Sequence, residues 1–263
     1  MNPVRTVIHG ASGRVGQVLI NTLQNAPEIK LVGAVDIKVP AAELTLNDGS
    51  RIPFSADLDK LLAEVNPQVM VDFTIAKASL PAVRIAAARK VNLVIGTTGF
   101  SAGDLAEMEQ LAKSNDIGIF LAANFALGAV LMMHFAKLAA KYMDYAEIIE
   151  LHHEKKLDAP SGTSITTAKM MAAARSKPFL QALDEGKNYP ARGEKYSGIN
   201  VHSVRLPGLM AHQEVLFGGQ GQTLSIRHDT IGRECYAPGV ILAAQAIVNL
   251  KGLVQGLDTL LKL

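Results

Sequence analysis

The first 36 residues constrain the fold of this chain most. Arg5 to His9 reads as a short buried strand and runs directly into Gly10-Ala11-Ser12-Gly13-Arg14-Val15-Gly16. An amphipathic helix follows to about Gln24, then a second strand, Leu31 to Val35, which ends in Asp36, 20 positions beyond Gly16. A G-x-x-G-x-x-G turn alone is weak evidence. Strand, glycine turn, helix, strand and terminal acid in that order describe a dinucleotide-binding βαβ unit. Gly10 permits the tight turn, Gly13 lets backbone approach a pyrophosphate, and Gly16 allows close helix–strand packing. Asp36 stands where an acid meets the adenine-side ribose. Gly10, Ala11, Ser12, Gly13, Arg14, Val15, Asp36 and Lys38 are therefore the expected cofactor contacts at this end.

The alternation continues. Helices are expected at Leu58–Val65, Ala78–Arg89 and Leu105–Lys113, and strands at Val69–Phe73, Leu93–Ile95 and Gly118–Ala122. Such a series implies a parallel sheet with right-handed crossovers, whose ligands bind beyond the C-terminal strand ends. Asp36, Thr74, Gly96 to Gly99 and Ala122 to Phe125 all fall at such ends.

A second concentration of chemistry lies at Glu150 to Thr163, Glu-Leu-His-His-Glu-Lys-Lys-Leu-Asp-Ala-Pro-Ser-Gly-Thr. Tyr145 to Leu151 reads as a strand, so His152 and His153 sit where it gives way to a loop. Ser161-Gly162-Thr163 then opens a helix that runs through Ile165 to Arg175. A helix start offers unpaired N–H groups to an anion, Lys156 adds a full charge, and a histidine exchanges protons near neutral pH. The segment suits an anionic substrate, a carboxylate, with acid chemistry beside it. Asp158 and Ser161 are read as loop and cap residues.

The run His152-His153-x-x-Lys156-x-Asp158-Ala159-Pro160-Ser161-Gly162-Thr163 resembles the signature of the dihydrodipicolinate reductase family, which works in the diaminopimelate route to lysine. Gly96-Thr97-Thr98-Gly99 and Ala122-Ala123-Asn124-Phe125 resemble that family's cofactor-lining segments near the nicotinamide. Thr74-Ile75-Ala76-Lys77 departs from its pattern, so no cofactor contact is assigned from Ile75 to Lys77. The resemblance implies NAD(P)H-dependent reduction of a cyclic dicarboxylate, 4-hydroxy-tetrahydrodipicolinate, to tetrahydrodipicolinate with loss of water. It gives His152 the acid–base role and makes Lys156 the second donor. His153, Lys156, Gly162 and Thr163 bind the substrate carboxylates. Which of His152 and Lys156 protonates the ring stays open. Asp36 favours NADH, whereas Lys38 and Arg14 offer charge to a ribose phosphate. The family often accepts both cofactors, so dual use is expected.

Phe125 to Tyr142 reads as a long helix with Met132 and Met133 as core filler. Ser176 to Ser197 reads as a loop. Ile199–Arg205, Gln213–Phe217 and Thr223–His228 read as strands which, with Tyr145–Leu151, form an open mixed sheet of about four. Gly232 to Leu250 is the last long helix and is expected to return to the nucleotide domain. The expectation is an α/β chain: a discontinuous Rossmann-type dinucleotide-binding domain, 1–124 with 234–263, and an α+β substrate domain, 125–233. By resemblance that second sheet builds a homotetramer. Because the two sites fall on different domains, domain closure is expected to bring hydride donor and acceptor together.

Composition closes off other classes. A net charge of +2 gives no reason to expect nucleic acid. Leu121 to Ala140 comes nearest to a membrane helix but is interrupted by Asn124, His134 and Lys137. The single cysteine, Cys235, excludes an intrachain disulfide, and no spacing of ligands suggests a metal. A reducing cytoplasm is expected. Cys235 lacks a flanking His/acid arrangement, which argues against a thiol-dependent aspartate-semialdehyde dehydrogenase. A homoserine- or diaminopimelate-type dehydrogenase and a non-catalytic NAD(P) sensor remain the alternatives, and the intact His-His-x-x-Lys argues against the sensor.

Overall fold

Val-Met-Val at 69–71 and Leu-Val-Ile at 93–95 are apolar at every position, as strands buried on both faces must be. Both lie inside the larger of two sheets in the computed structural model, which describes residues 2–181 and 190–263. The chain begins β1 (Val4–His9), α1 (Arg14–Leu23), β2 (Ile29–Val35), β3 (Glu43–Thr45), β4 (Arg51–Ser55), α2 (Leu58–Val65), β5 (Val69–Asp72) and α3 (Ala76–Ala88). It continues β6 (Asn92–Ile95), α4 (Ala102–Asn115), β7 (Gly118–Leu121), α5 (Leu127–Ala139), β8 (Tyr145–His152), α6 (Gly162–Ala173), β9 (Glu194–Tyr196), β10 (Ile199–Arg205), β11 (Ala211–Gly219) and β12 (Gln222–Thr230). It ends α7 (Ala237–Ile247), β13 (Gly252–Gln255) and α8 (Leu257–Leu261). Two compact units result: residues 1–127 with 233–263, and residues 128–232.

The first unit is built on an eight-stranded sheet of order β13-β7-β6-β5-β1-β2-β4-β3. Its neighbours run parallel except β3 against β4. Val7, Met70, Leu93 and Ile119 from the central strands meet Leu61, Val83, Ala86 and Met108 from the helices in one core. Local signals agree with the long-range ones. The Asp57 side chain caps α2 by accepting the Lys60 N–H. Ser101 and Asp104 form a reciprocal capping box on α4.

Three features of this unit differ from the sequence reading. The hairpin β3–β4 was not expected, because Pro53 interrupts its apolar pattern; Ile52 and Phe54 on either side are nonetheless buried. The edge strand β13 was not expected either, being a four-residue strand paired only with β7. The last helix starts later than Gly232: Arg233–Tyr236 forms a 3-10 turn, and α7 begins at Ala237. Pro238 sets that start, since its missing N–H is harmless only in a helix's first turn.

The second unit carries a five-stranded sheet of order β12-β11-β8-β10-β9, in which only β8 and β10 are parallel. One face packs Ala146, Ile148, Val201, Val215 and Phe217 against Met132 and Ala136 of α5 and Ala168 and Met171 of α6. The expected count of about four strands is corrected by β9, which lies in the stretch read as a loop. Its partner is β10, across Ser197-Gly198, whose φ values of 51° and 82° suit a two-residue hairpin turn. Residues 182–189 of that stretch lie outside the described residues.

The glycine turn fixes how α1 meets β1. Gly10 has φ +86°, and a Cβ on Gly16 would stand 2.1 Å from the Gly10 carbonyl oxygen. Gly16→Ala must therefore push α1 off the turn. We expect a loss of about 1–3 kcal/mol, the range for overpacking, read as a lower urea midpoint with an unchanged m-value.

Candidate active site

In the first unit the strand ends form a polar shelf. Gly10 and Ala11 both donate to the Val35 carbonyl at the end of β2, which seats the glycine turn on the neighbouring strand. One oxygen of Asp36 accepts the Ser12 N–H at 3.0 Å, and the other accepts the Lys38 N–H at 3.1 Å. The Ser12 hydroxyl donates to the Lys38 carbonyl at 2.6 Å. Ser12, Asp36 and Lys38 are thus one hydrogen-bonded unit, with Gly13, Arg14 and Lys38 exposed and Val15 half-buried beside them. A Cβ on Gly10 would clash with Phe73 and Thr74, and one on Gly16 with the turn itself, so positions 10 and 16 of the turn require glycine. The residues fit a dinucleotide: N–H groups and a helix start for the pyrophosphate, and a fixed acid for a ribose.

The two segments expected to line the nicotinamide divide by burial. Thr98, Gly99 and Ala123 are exposed, and Gly96 and Asn124 are half-buried. Asn124 turns its side-chain oxygen onto the Ala126 N–H at 2.9 Å. Ala122 and Phe125 are buried, Phe125 in ring contact with Phe73 and Phe120. Thr97 also faces inward. It is buried and donates its hydroxyl to Asp72 at 2.5 Å, so its side chain serves the shelf from beneath.

Sequence reasoning missed Asp72. Its side chain is 0% exposed, and it accepts from His9 Nδ1 at 2.6 Å, from Thr97, and from both the N–H and hydroxyl of Thr74. It clamps the ends of β1, β5 and β6 together beneath the shelf. The available signal was an acid closing an apolar strand: a buried carboxylate must be paired.

In the second unit β8 delivers Glu150 and His152 to one end of the sheet, and the loop after it carries His153 and Lys156. Glu150 is 0% exposed. Its oxygens take a fork of two hydrogen bonds from Arg205 on β10, at 2.9 and 2.8 Å, and one from the Ser161 N–H at 3.2 Å. His152 Nδ1 stands 2.5 Å from Glu150 Oε2. Burial alone would raise the Glu150 carboxyl, but hydrogen bonds from His152, Arg205 and Ser203 outweigh it and hold the group at about 2. It is therefore an anion at any working pH. Among the described residues no hydrogen bond reaches His152 Nε2.

Ser161 caps α6, accepting the Ser164 N–H at 3.2 Å, and the N–H groups of Gly162 and Thr163 open the helix. Lys156 donates to both oxygens of Asp158 at 2.8 Å, and that ammonium holds the Asp158 carboxyl below its usual value. Asp158 is thus more than a loop residue: it is the resting partner of the lysine. His153 is half-buried, and its carbonyl receives the Lys156 N–H at 3.1 Å. His152, His153, Lys156, Gly162 and Thr163 fall in one short segment whose two ends, His152 and Ser161, both bond Glu150. Arg205, which the sequence reading passed over, completes it from a strand 55 residues further along the chain. Among the described residues no cluster suits a metal ion, and no helix is long and apolar enough to cross a membrane.

Comparison with known proteins covers nearly the whole length. The family model "Dihydrodipicolinate reductase, N-terminus" matches residues 4–125, and "Dihydrodipicolinate reductase, C-terminus" matches residues 128–261. The 4-hydroxy-tetrahydrodipicolinate reductase of Dehalococcoides mccartyi is 58% identical over 264 residues, covering 100% of both chains. That of Moorella thermoacetica is 47% identical over 262 residues, covering 98% of each. The dipicolinate-bound dihydrodipicolinate reductase of Paenisporosarcina sp. TG-14 superposes with a TM-score of 0.86 at 39% identity, over 98% of this chain and 99% of that one.

Asp72→Ala leaves His9, Thr74 and Thr97 with buried groups unsatisfied. We expect it to cost about 3 kcal/mol, seen as a lower urea midpoint. Glu150 makes stability acid-sensitive. Its folded value lies below the free value of 4.5, so its contribution is complete above about 4.5 and is lost as pH falls toward 2. A shift of that size is on the order of 3 kcal/mol. Urea midpoints of the native chain should fall across that window, and Glu150→Gln should flatten the fall.

Proposed function

The chain belongs to the dihydrodipicolinate reductase family, and from that premise we propose which of its residues carry the reaction and how. The reaction is the reduction of 4-hydroxy-tetrahydrodipicolinate with a nicotinamide cofactor, in the diaminopimelate route to lysine. One reduced cofactor and one proton are consumed, and tetrahydrodipicolinate, oxidised cofactor and one water are formed. The cofactor, when bound, supplies the hydride.

The substrate's two carboxylates are taken by the opening of α6 and by Lys156. The Gly162 and Thr163 N–H groups receive one as a helix N-terminus receives an anion. Lys156 exchanges Asp158 for the substrate, and the Asp158 carboxylate holds the ammonium in place until the ligand arrives. His153 lines the same segment. His152 supplies the acid: the ring gains a hydride, the displaced electron pair takes a proton, and an imidazole refills from solvent at neutral pH. The observation that carries this reading is the meeting of His152, Arg205 and the α6 N-terminus at one buried carboxylate, Glu150, with Lys156 held on the intervening loop by Asp158, whose carbonyl is bonded to the same Arg205. In the first unit, Gly10 to Val15, Asp36 and Lys38 hold the adenine side, and Gly96 to Thr98 with Ala122 to Phe125 hold the nicotinamide side. Asp36 supports NADH, while the exposed Lys38 and Arg14 support a ribose phosphate, so we assign both cofactors.

We assign a homotetramer as well. One face of the second unit's sheet packs against α5 and α6, while the other presents Ile149, Leu151, Val204 and Leu216 partly open to solvent. A single cysteine fits a reducing cytoplasm.

The test is a coupled assay in which the substrate is generated in place from pyruvate and aspartate semialdehyde, and NADH or NADPH oxidation is followed by absorbance. Oxidation should require the substrate and be competed by pyridine-2,6-dicarboxylate. His152→Ala should lower turnover by about 10²–10⁴-fold, the usual worth of a general acid, with a smaller effect on substrate KM. Lys156→Ala should damage both constants. Normal turnover in both variants would sink the assignment.

A further inference from the structure

His152 does not stand alone at the end of β8. Its Nδ1 meets Glu150 at 2.5 Å, two residues back on the same strand, so the two side chains share a face. Glu150 is in turn gripped by Arg205 through both oxygens and by the Ser161 N–H. A carboxylate this buried and this fully held cannot swing away or become the acid itself. A carboxylate can only accept, so the proton in the contact belongs to His152 Nδ1.

We propose that Glu150 is the positioning residue of the reaction: it fixes His152 in the Nδ1–H form, making Nε2 the atom that exchanges the catalytic proton, and through Ser161 it sets that imidazole against the helix start that takes the substrate carboxylate. The inference rests on the acid role given to His152 above. In the step itself, Nε2–H breaks as the ring accepts its proton, Nδ1–H stays bonded to Glu150, and Nε2 is reprotonated from solvent. Glu150 carries a charge throughout and transfers nothing. The ion pair with Arg205 keeps it ionised, as a triad acid is kept ionised behind its histidine. The geometry also divides the labour of the two adjacent histidines: for His153 no side-chain hydrogen bond is formed among the described residues, so nothing comparable fixes its tautomer.

The charged groups around His152 are few. Glu150 shares its strand, and Arg205 is its paired position on β10. On β11 its partner is Ala211, followed by His212, which is bonded to Asp229. Lys156 and Asp158 lie on the loop beyond, and the first turn of α6 carries no acid. Of these only Glu150 makes a hydrogen bond to the imidazole.

Two measurements on the full chain test the proposal. The first needs no change at Glu150: nitrogen-15 NMR of histidine-labelled protein, with His152→Ala to assign the resonances. Neutral His152 should be the Nδ1–H tautomer; the Nε2–H tautomer would overturn the proposal. The second is kinetic. Glu150→Gln should lower kcat about 10–100-fold, with substrate KM changed less than about threefold. It should also move the histidine limb of the kcat pH profile to lower pH, because an imidazolium has lost its anion. In a His152→Ala background the same change should cost almost nothing further. An unmoved pH profile, or an equal loss in both backgrounds, would make Glu150 a structural residue only. Should Glu150→Gln fail to fold, the tautomer decides alone. Full turnover in His152→Ala would instead remove the acid role itself, a different failure from that of Glu150.

Discussion

A carboxylate shut away from water is tolerable only when donors surround it, and this fold is pinned by two such groups. Asp72 gathers His9, Thr74 and Thr97 beneath the first unit's shelf, and Glu150 gathers His152, Arg205 and Ser161 in the second. Each sits at or near the end of a strand, where a ladder stops and a loop begins. Each draws its donors from separate strands or from a strand and a following helix. The cost of desolvating the charge is repaid only if every donor is in place, so a single buried oxygen pair enforces the arrangement of several loops at once. Pre-organisation here is a property of unreachable side chains, with the reachable ones hanging from them.

Both units offer the same elementary feature, a helix start with free N–H groups, but build it differently. In the first, glycines remove side chains so that backbone itself is the surface. In the second, Ser161 caps the helix and Glu150 fixes the capping residue from behind. A cap bonded only to its own helix would be free to fray; a cap also bonded to a neighbouring strand is not.

Much of this was legible in the sequence, because the strongest signals are local. The parallel sheet follows from apolar runs alternating with amphipathic stretches, and the βαβ unit from three glycines and an acid at fixed spacing. The segment from His152 to Thr163 announces itself by density of charge and turn residues. What escaped was long-range or short. β3 and β13 are too brief to show a period, and the alternation of β4 at Ile52 and Phe54 is interrupted by Pro53. Ser197-Gly198 did carry a hairpin signal, but β9 before it is three residues long. Arg205 reads as an ordinary basic residue at a strand end, since its meaning lies in the pairing of β10 with β8. Asp158 looked like turn chemistry because a lysine two residues away says nothing about which way it points.

The hydrogen bonds of Asp36 carry a consequence for redesign. Its oxygens are already spent on the Ser12 and Lys38 N–H groups. The residue assigned to the ribose in the proposal above is therefore also the strut that shapes the loop around it. Replacing it by a neutral or basic side chain would change the charge presented to a phosphate and, in the same stroke, release the backbone that presents it. The charge at this strand end is not an independent dial on this scaffold; turning it means rebuilding the loop from Ser12 to Lys38 as a set.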